Sequence, residues 1–238
     1  MTRCIKIMTI PLFLIFCFFT RCGKGGDDPD VSRQKDTFPK ATGFQAKDTW
    51  KILTTGRTLD DWIIEKSGSW EIENGTLAAL SGGFIWTKEQ TGNFILDCEF
   101  KINPRGNSGI FIRTGNINDP VQTGIEIQIL DSTDKNNPDK HDCGAVYDLL
   151  EPATNAVKSA GEWNHIIITC NNNLITVVLN GVLVIGMNID EWITPERNPD
   201  GTRNKFIRAI KDFPREGHIG FQGYGDPVWF RNIKIKEL

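Results

Sequence analysis

No apolar stretch of this sequence reaches the roughly 20 residues that a membrane-spanning helix requires. The run from Ile7 to Phe19 is too short and is broken by Thr9 and Pro11. Positive charge is not in surplus either: 27 Lys and Arg face 30 Asp and Glu, for a formal charge of −3. That balance excludes a protein built to bind a phosphate backbone. No long amphipathic helical pattern occurs, which argues against a parallel α/β sheet. Tyrosine is scarce, with only Tyr147 and Tyr224 present. What the chain does hold is 39% hydrophobic residues, 23 Gly and 7 Trp. This is the composition of one folded domain, not of a collagenous, disordered or coiled-coil chain.

Charge is divided unevenly along the chain. Residues 1–21 contain Arg3, Lys6 and Arg21 and no acid, leaving 24 bases against 30 acids in residues 22–238. Basic residues ahead of a short apolar run read as a secretory signal, residues 1–21. Cys22 follows, then Gly23, Lys24, Gly25, Gly26, Asp27, Asp28 and Pro29, which cannot pack a core. The arrangement resembles a bacterial lipoprotein signal, with the lipid carried on Cys22. The expectation is an exported, periplasmic or cell-surface lipoprotein with a tether over 22–45 and one domain over 46–238. A cleaved signal with an incidental Cys is the simpler alternative. Cys98, Cys143 and Cys170 remain in the domain without a Cys-x-x-Cys spacing, and are read as buried small hydrophobes.

From Trp50 onward the pattern is one of short alternating segments separated by turn signals. Phe94 to Ile102 places Phe94, Leu96, Cys98 and Phe100 on one face and Ile95, Asp97, Glu99 and Lys101 on the other, a strand with one face toward a core. Asn74-Gly75 and Asn180-Gly181 mark tight hairpins. Further strands are expected at 109–114, 125–130, 145–149, 164–171, 174–179, 182–187, 218–223 and 228–236. About a dozen strands without a long helix predict an all-β fold, an antiparallel β-sandwich. Residues 131–143 and 188–217 break the rhythm as long polar loops, the second carrying Lys205, Arg208, Lys211 and Arg215. Binding groups commonly sit on such loops.

Three stretches carry groups capable of chemistry. In Asn107-Ser108-Gly109-Ile110-Phe111-Ile112-Arg113, alternation places Asn107, Gly109, Phe111 and Arg113 on one face. An Arg ending an apolar strand must reach solvent or meet an acceptor. In Gly124-Ile125-Glu126-Ile127-Gln128-Ile129-Leu130-Asp131, Glu126 and Gln128 share a face opposite three isoleucines, and one bulge residue would bring Asp131 beside them. In the third stretch, His141 is a general base, a metal ligand or a surface imidazole, and Tyr147 offers a hydroxyl donor. His218, Gly220 and Gln222 share a face, where glycine leaves room for a flat group.

The Glu126, Gln128 and Asp131 spacing resembles the Glu-x-Asp-x-x-Glu motif of laminarinase-type glucanases on a concanavalin A-like sandwich. Here an amide replaces the central acid, whereas a retaining glycosidase needs two carboxyl groups about 5–5.5 Å apart. Asn107-Ser108-Gly109 with Arg113, Gly124 with Glu126 and Gln128, Gly144 with Tyr147, Trp163-Asn164, Asn180-Gly181, Gly217 to Gln222 and Phe230-Arg231-Asn232-Ile233 together resemble the 3-keto-disaccharide hydrolase family, from about Trp50 to Leu238. Tyr224 stands where that family often has His. The resemblance implies a concanavalin A-like jelly roll of two antiparallel sheets acting on 3-keto-glycosides.

A ketone at C3 acidifies the C2 hydrogen, so a base can form an enolate that expels the C1 substituent, and water then adds. Such chemistry needs a base, a donor at the C3 oxygen and an acid for the leaving group. Glu126 or His141 is the expected base, and Arg113 and Tyr147 the expected oxyanion donors. Asn107, Gln128, Asp131, Gln222 and Tyr224 are expected to contact substrate. The expected partner is an oxidised carbohydrate, with the membrane touched only through the lipid. No catalytic cofactor is expected. A structural Ca²⁺ would suit the fold, although no acidic cluster has a telling ligand spacing. Two alternatives are a carbohydrate-binding module using Trp192 or Trp229 as a platform, and a laminarinase-like glucanase.

Overall fold

The computed structural model describes residues 49–238. The expected leader, Cys22 and the tether lie outside the described residues. Among the described residues, thirteen strands form two antiparallel sheets. The larger sheet contains β1 (Lys51–Ile52), β3 (Trp70–Glu73), β4 (Thr76–Ala79), β6 (Phe94–Ile102), β9 (Asn164–Asn171), β10 (Leu174–Leu179), β11 (Val182–Asn188) and β13 (Val228–Glu237). Its order is β11-β10-β9-β6-β13-β4-β3, with β1 also pairing β13. The smaller sheet contains β2 (Trp62–Ile64), β5 (Gly83–Thr87), β7 (Asn107–Thr114), β8 (Ile125–Leu130) and β12 (His218–Gly223), in the order β2-β5-β12-β7-β8. One short helix, α1 (Pro120–Thr123), precedes β8.

The alternation expected from the sequence is realised in β6, where Phe94, Leu96, Cys98, Phe100 and Ile102 are at most 1% exposed. Burying each such large side chain contributes about 1.5–3 kcal/mol. Opposite them, the smaller sheet turns Ile85, Ile110, Ile112, Ile125, Ile127, Ile129, Ile219 and Phe221 inward. Phe221 meets Phe230 of the larger sheet with ring centroids 4.6 Å apart. Both Asn-Gly hairpins form as expected, with Asn74 and Asn180 at φ of 49° and 50° and their glycines at 79° and 83°. Positive φ at both central residues twists the turn to match the strands, which is why Asn-Gly suits it. Cys98, Cys143 and Cys170 are buried free thiols, and burial raises all three pKa values, those of Cys143 and Cys170 to about 12.

Two expectations fail in instructive places. Residues 145–149 do not form a strand: only Val146 bridges the sheet, to Ile127, before folding back on Leu150. Asp148, at φ 65°, turns the chain there. The loop expected over 188–217 forms, and it is anchored by Trp192, Phe206, Ile210 and Phe213, which are buried in the core. Trp192 is therefore no exposed platform; its indole N–H donates to Asn198 Oδ1 at 3.0 Å. Trp229 donates to Glu73 Oε2 at 2.6 Å, and the Lys101 ammonium covers its ring at 4.4 Å, so its face is already occupied.

Candidate active site

The outward face of the smaller sheet gathers most of the polar groups singled out from the sequence. Strands β7 and β8 pair without a break from Ile112–Ile125 to Asn107–Leu130, placing Gly109 opposite Gln128 and Phe111 opposite Glu126. Since Ile125, Ile127 and Ile129 fill the core, Glu126 and Gln128 must face outward. The segment after them continues the sheet irregularly. The Tyr147 N–H donates to the Glu126 carbonyl at 2.9 Å, and the Gln128 N–H to the Ala145 carbonyl at 2.9 Å. Tyr147 thereby lies alongside Glu126.

The Glu126 carboxyl lies against the β7 backbone. This position is open only because residue 109 is glycine: a Cβ there would come within 3.0 Å of Glu126 Cγ and Cδ. Its side chain is 10% exposed, and the nearest cation is Lys205 Nζ, 3.9 Å from Oε2. Burial raises the Glu126 pKa from 4.5 to about 7, with Lys205 pulling the other way. Burial lowers the Lys205 pKa, opposed by Glu126 and Asp148. Tyr147 is pushed above its ordinary value by burial and then by Glu126, Asp148 and Tyr224. A carboxyl that is half ionised near neutral pH can both take and return a proton.

Lys205 arrives from a distant loop through Asp148. The Lys205 backbone N–H donates to Asp148 Oδ2 at 2.7 Å, and the Asn198 side-chain amide donates to the Asp148 carbonyl at 3.2 Å. Asp148 Oδ1 lies 3.4 Å from Lys140 Nζ and 3.3 Å from His141 Nε2. The other ring nitrogen of His141 lies 3.2 Å from Asp139 Oδ1, and the imidazole meets the Tyr147 ring edge-on at 4.9 Å. The Lys205 ammonium sits 4.0 Å over the Tyr147 ring. Glu126, Tyr147, Lys205 and His141 thus form one cluster, oriented by Asp148.

Other residues named from the sequence fall around this cluster or away from it. Gln128 is 3% exposed. Its Nε2 donates to Asn107 Oδ1 at 3.0 Å, while Oε1 has no hydrogen-bond partner among the described residues. Gln222 alternates with the core residue Phe221 and so shares the outward face. Tyr224 is 65% exposed and close enough to raise the Tyr147 pKa. The space expected over Gly220 is already filled by the Trp86 ring, as that over Gly109 is by Glu126. Trp86 stacks on Phe84 at 4.9 Å, and Phe111 meets both rings edge-on.

Two expected site residues are not brought to the cluster. Arg113 sits at φ 51° beside a register shift between β7 and β12, which takes it out of the alternation. Its buried guanidinium donates to the Gly92 carbonyl at 2.8 Å, the Asn172 carbonyl at 2.7 Å and Asn93 Oδ1 at 3.0 Å. It ties the smaller sheet to the loops of the larger one. Asp131 gains no bulge, since β7–β8 pairing is unbroken; its Oδ2 accepts the Arg105 N–H at 2.9 Å and its Oδ1 the Thr133 hydroxyl at 3.0 Å. Asp131, the expected second acid of the glucanase spacing, is therefore not brought to Glu126. No group of three or more His, Cys, Asp or Glu among the described residues is arranged to hold a metal ion.

Comparison with known proteins bears on what this face does. A family model described as a 3-keto-alpha-glucoside-1,2-lyase-like domain matches residues 49–236. A 3-keto-disaccharide hydrolase of Bacteroides thetaiotaomicron is 27% identical over 230 residues, covering 79% of this chain and 74% of that protein. A solved structure of a candidate glycosyl hydrolase from Parabacteroides distasonis is 35% identical, with a TM-score of 0.74, covering 80% of this chain and 100% of that one. The carbohydrate-binding module CBM66 from Bacillus subtilis shares the fold at 14% identity and a TM-score of 0.50, covering 74% of this chain and 96% of that one.

Proposed function

Because the chain belongs to the 3-keto-alpha-glucoside-1,2-lyase-like domain family, we propose that it cleaves the glycosidic bond of 3-keto-glycosides on the outward face of the smaller sheet. The observation that carries this reading is the Glu126 carboxyl, 10% exposed and raised to a pKa of about 7, facing Lys205 and Tyr147. Hydrolysis through an oxocarbenium ion calls for two carboxyl groups. Removal of an acidic C2 proton calls for one base and a positive environment for the enolate, which is what this cluster offers.

Glu126 takes the C2 proton. The Tyr147 hydroxyl donates to the C3 oxygen as negative charge grows there, and the Lys205 charge lowers the energy of the same species. His141, held between Asp139 and Asp148, is placed to protonate the departing C1 oxygen. Gln222 and Tyr224 border the same face. The C2–C1 double bond left by departure of the aglycone is then hydrated, with the proton on Glu126 returned to C2.

Turnover of a methyl 3-keto-glucoside, followed by release of reducing sugar, tests the reading. Glu126→Gln and His141→Ala should each depress it strongly, while the unoxidised glucoside should give no product with any variant. Full turnover in both variants would remove the base assignment. Binding without product would leave a carbohydrate-binding module. The reading also places the domain outside the cytoplasm on a lipid carried by Cys22. Absence of label on the protein in cells fed a palmitate analogue would remove that anchor.

A further inference from the structure

Lys205 is unusual among the charged groups of this face in what it lacks. Its Nζ is in no side-chain hydrogen bond with a described residue, and its ion-pair partner, Glu126 Oε2, is 3.9 Å away. It also faces the Tyr147 ring at 4.0 Å and the Phe206 ring at 5.5 Å. Its backbone, by contrast, is fixed by Asp148. Its side chain is 33% exposed, so solvent reaches the amine, while burial of the remainder lowers its pKa and favours the neutral form. Glu126, Asp148 and the Tyr147 ring oppose this without supplying a hydrogen bond. Lys205 is therefore an amine held firmly at its root, free at its tip, and beside the carboxyl that would work on a ketone substrate. These are the conditions under which a lysine acts as a nucleophile toward a carbonyl.

We propose that Lys205 forms a covalent Schiff base with the C3 ketone of the substrate, so that the electron sink for C2 deprotonation is an iminium and not the carbonyl itself. This rests on the 3-keto-glycoside reading and replaces its enolate with an enamine, the Tyr147 hydroxyl then donating to the carbinolamine oxygen. The amine nitrogen adds to C3, the carbonyl oxygen is protonated to a carbinolamine hydroxyl, and that hydroxyl leaves as water while C3=N forms. Glu126 removes the C2 proton, and the C–H electrons form C2=C3 as the C=N π electrons return to nitrogen. The enamine then re-forms C3=N, its C2=C3 electrons become C1=C2, and the aglycone departs with the C1–O electrons and takes up a proton. Water adds to C1, C2 regains a proton, and hydrolysis of C3=N frees the sugar and Lys205. The net change is one water consumed for one glycosidic bond cleaved, with no change in oxidation state. Glu126, 3.9 Å from the amine, also serves the proton transfers of carbinolamine dehydration.

Sodium cyanoborohydride, which reduces iminium ions in preference to ketones, tests the proposal on the full-length protein. Incubation with methyl 3-keto-glucoside should inactivate the protein irreversibly and add the mass of one reduced sugar, mapped to Lys205 by peptide sequencing. Lys205→Arg, which keeps the charge but cannot form the adduct, should show neither label nor appreciable turnover while unfolding at the temperature of the unmodified protein. Turnover by the unmodified protein with no adduct on Lys205 would overturn the Schiff base and leave the 3-keto-glycoside reading standing. So would substantial turnover by Lys205→Arg. Label spread equally over surface lysines of both proteins would also overturn it. Absence of both cleavage and adduct would refute the underlying reading together with the Schiff base.

Discussion

Replacing Glu126 with Gln separates the cost of this carboxyl to folding from its use in catalysis. In the unfolded chain it titrates near 4.5 and in the folded protein near 7. Its folded value is raised, so the proton-linked stability is complete below pH 4.5 and is lost as pH rises through 7. A difference of about 2.5 units corresponds to about 3 kcal/mol of stability absent at pH 8, falling to about 1 kcal/mol at pH 5. Glutamine has the shape of the protonated acid and does not ionise. Glu126→Gln should therefore be more stable than the unmodified protein by about 3 kcal/mol at pH 8, raising Tm by about 6–12 °C for a domain of this size. The gain should shrink to about a third at pH 5. The same substitution should abolish turnover at every pH. Thermal unfolding of both proteins from pH 4 to 8, followed by circular dichroism, measures the first effect. A Tm difference that stays constant across that range would refute the reasoning, because it would mean that Glu126 titrates alike in the folded and unfolded states.

In the unmodified protein, kcat/KM on a 3-keto-glucoside should rise about tenfold between pH 6 and 8 as Glu126 ionises; a flat profile would count against it as the base. Gly109→Ala puts a methyl group into the Glu126 carboxyl. It should cost about 1–3 kcal/mol in urea unfolding and move that pH profile toward the ordinary carboxylate range; an unchanged midpoint and profile would show that the carboxyl does not depend on this contact. Tyr147→Phe keeps the ring beneath Lys205 but removes the hydroxyl, and should lower kcat about 10²-fold with little change in KM. A change confined to KM would make Tyr147 a binding group only. Arg113→Met leaves the Gly92, Asn93 and Asn172 acceptors without their donors. It should destabilise the domain by about 3 kcal/mol or more, with kcat of the folded fraction unchanged; loss of turnover without loss of stability would return Arg113 to the active site.

The sequence alone determined the features set by local periodicity. Two-residue alternation identified β6 to β8 and the strands after the second loop, and Asn-Gly placed both tight hairpins, because side-chain direction and turn conformation depend on a few neighbouring residues. The same alternation turned Glu126 and Gln128 outward, and the resemblance to the 3-keto-disaccharide hydrolase family agreed with the family to which the chain belongs. Contacts between distant residues were decided only by the tertiary structure. Arg113 obeyed the alternation on paper, but a register shift and a left-handed φ took it away from the cluster to the Gly92 and Asn172 carbonyls, 21 and 59 residues away. Asp131 was read as the product of a bulge that unbroken pairing with β7 does not allow. Lys205 was one of six cations in a loop until a hydrogen bond to Asp148, 57 residues away, set it over Tyr147. Neither Asp148 nor Lys205 carries a spacing signal, since what makes each of them important is a neighbour that only the folded chain supplies.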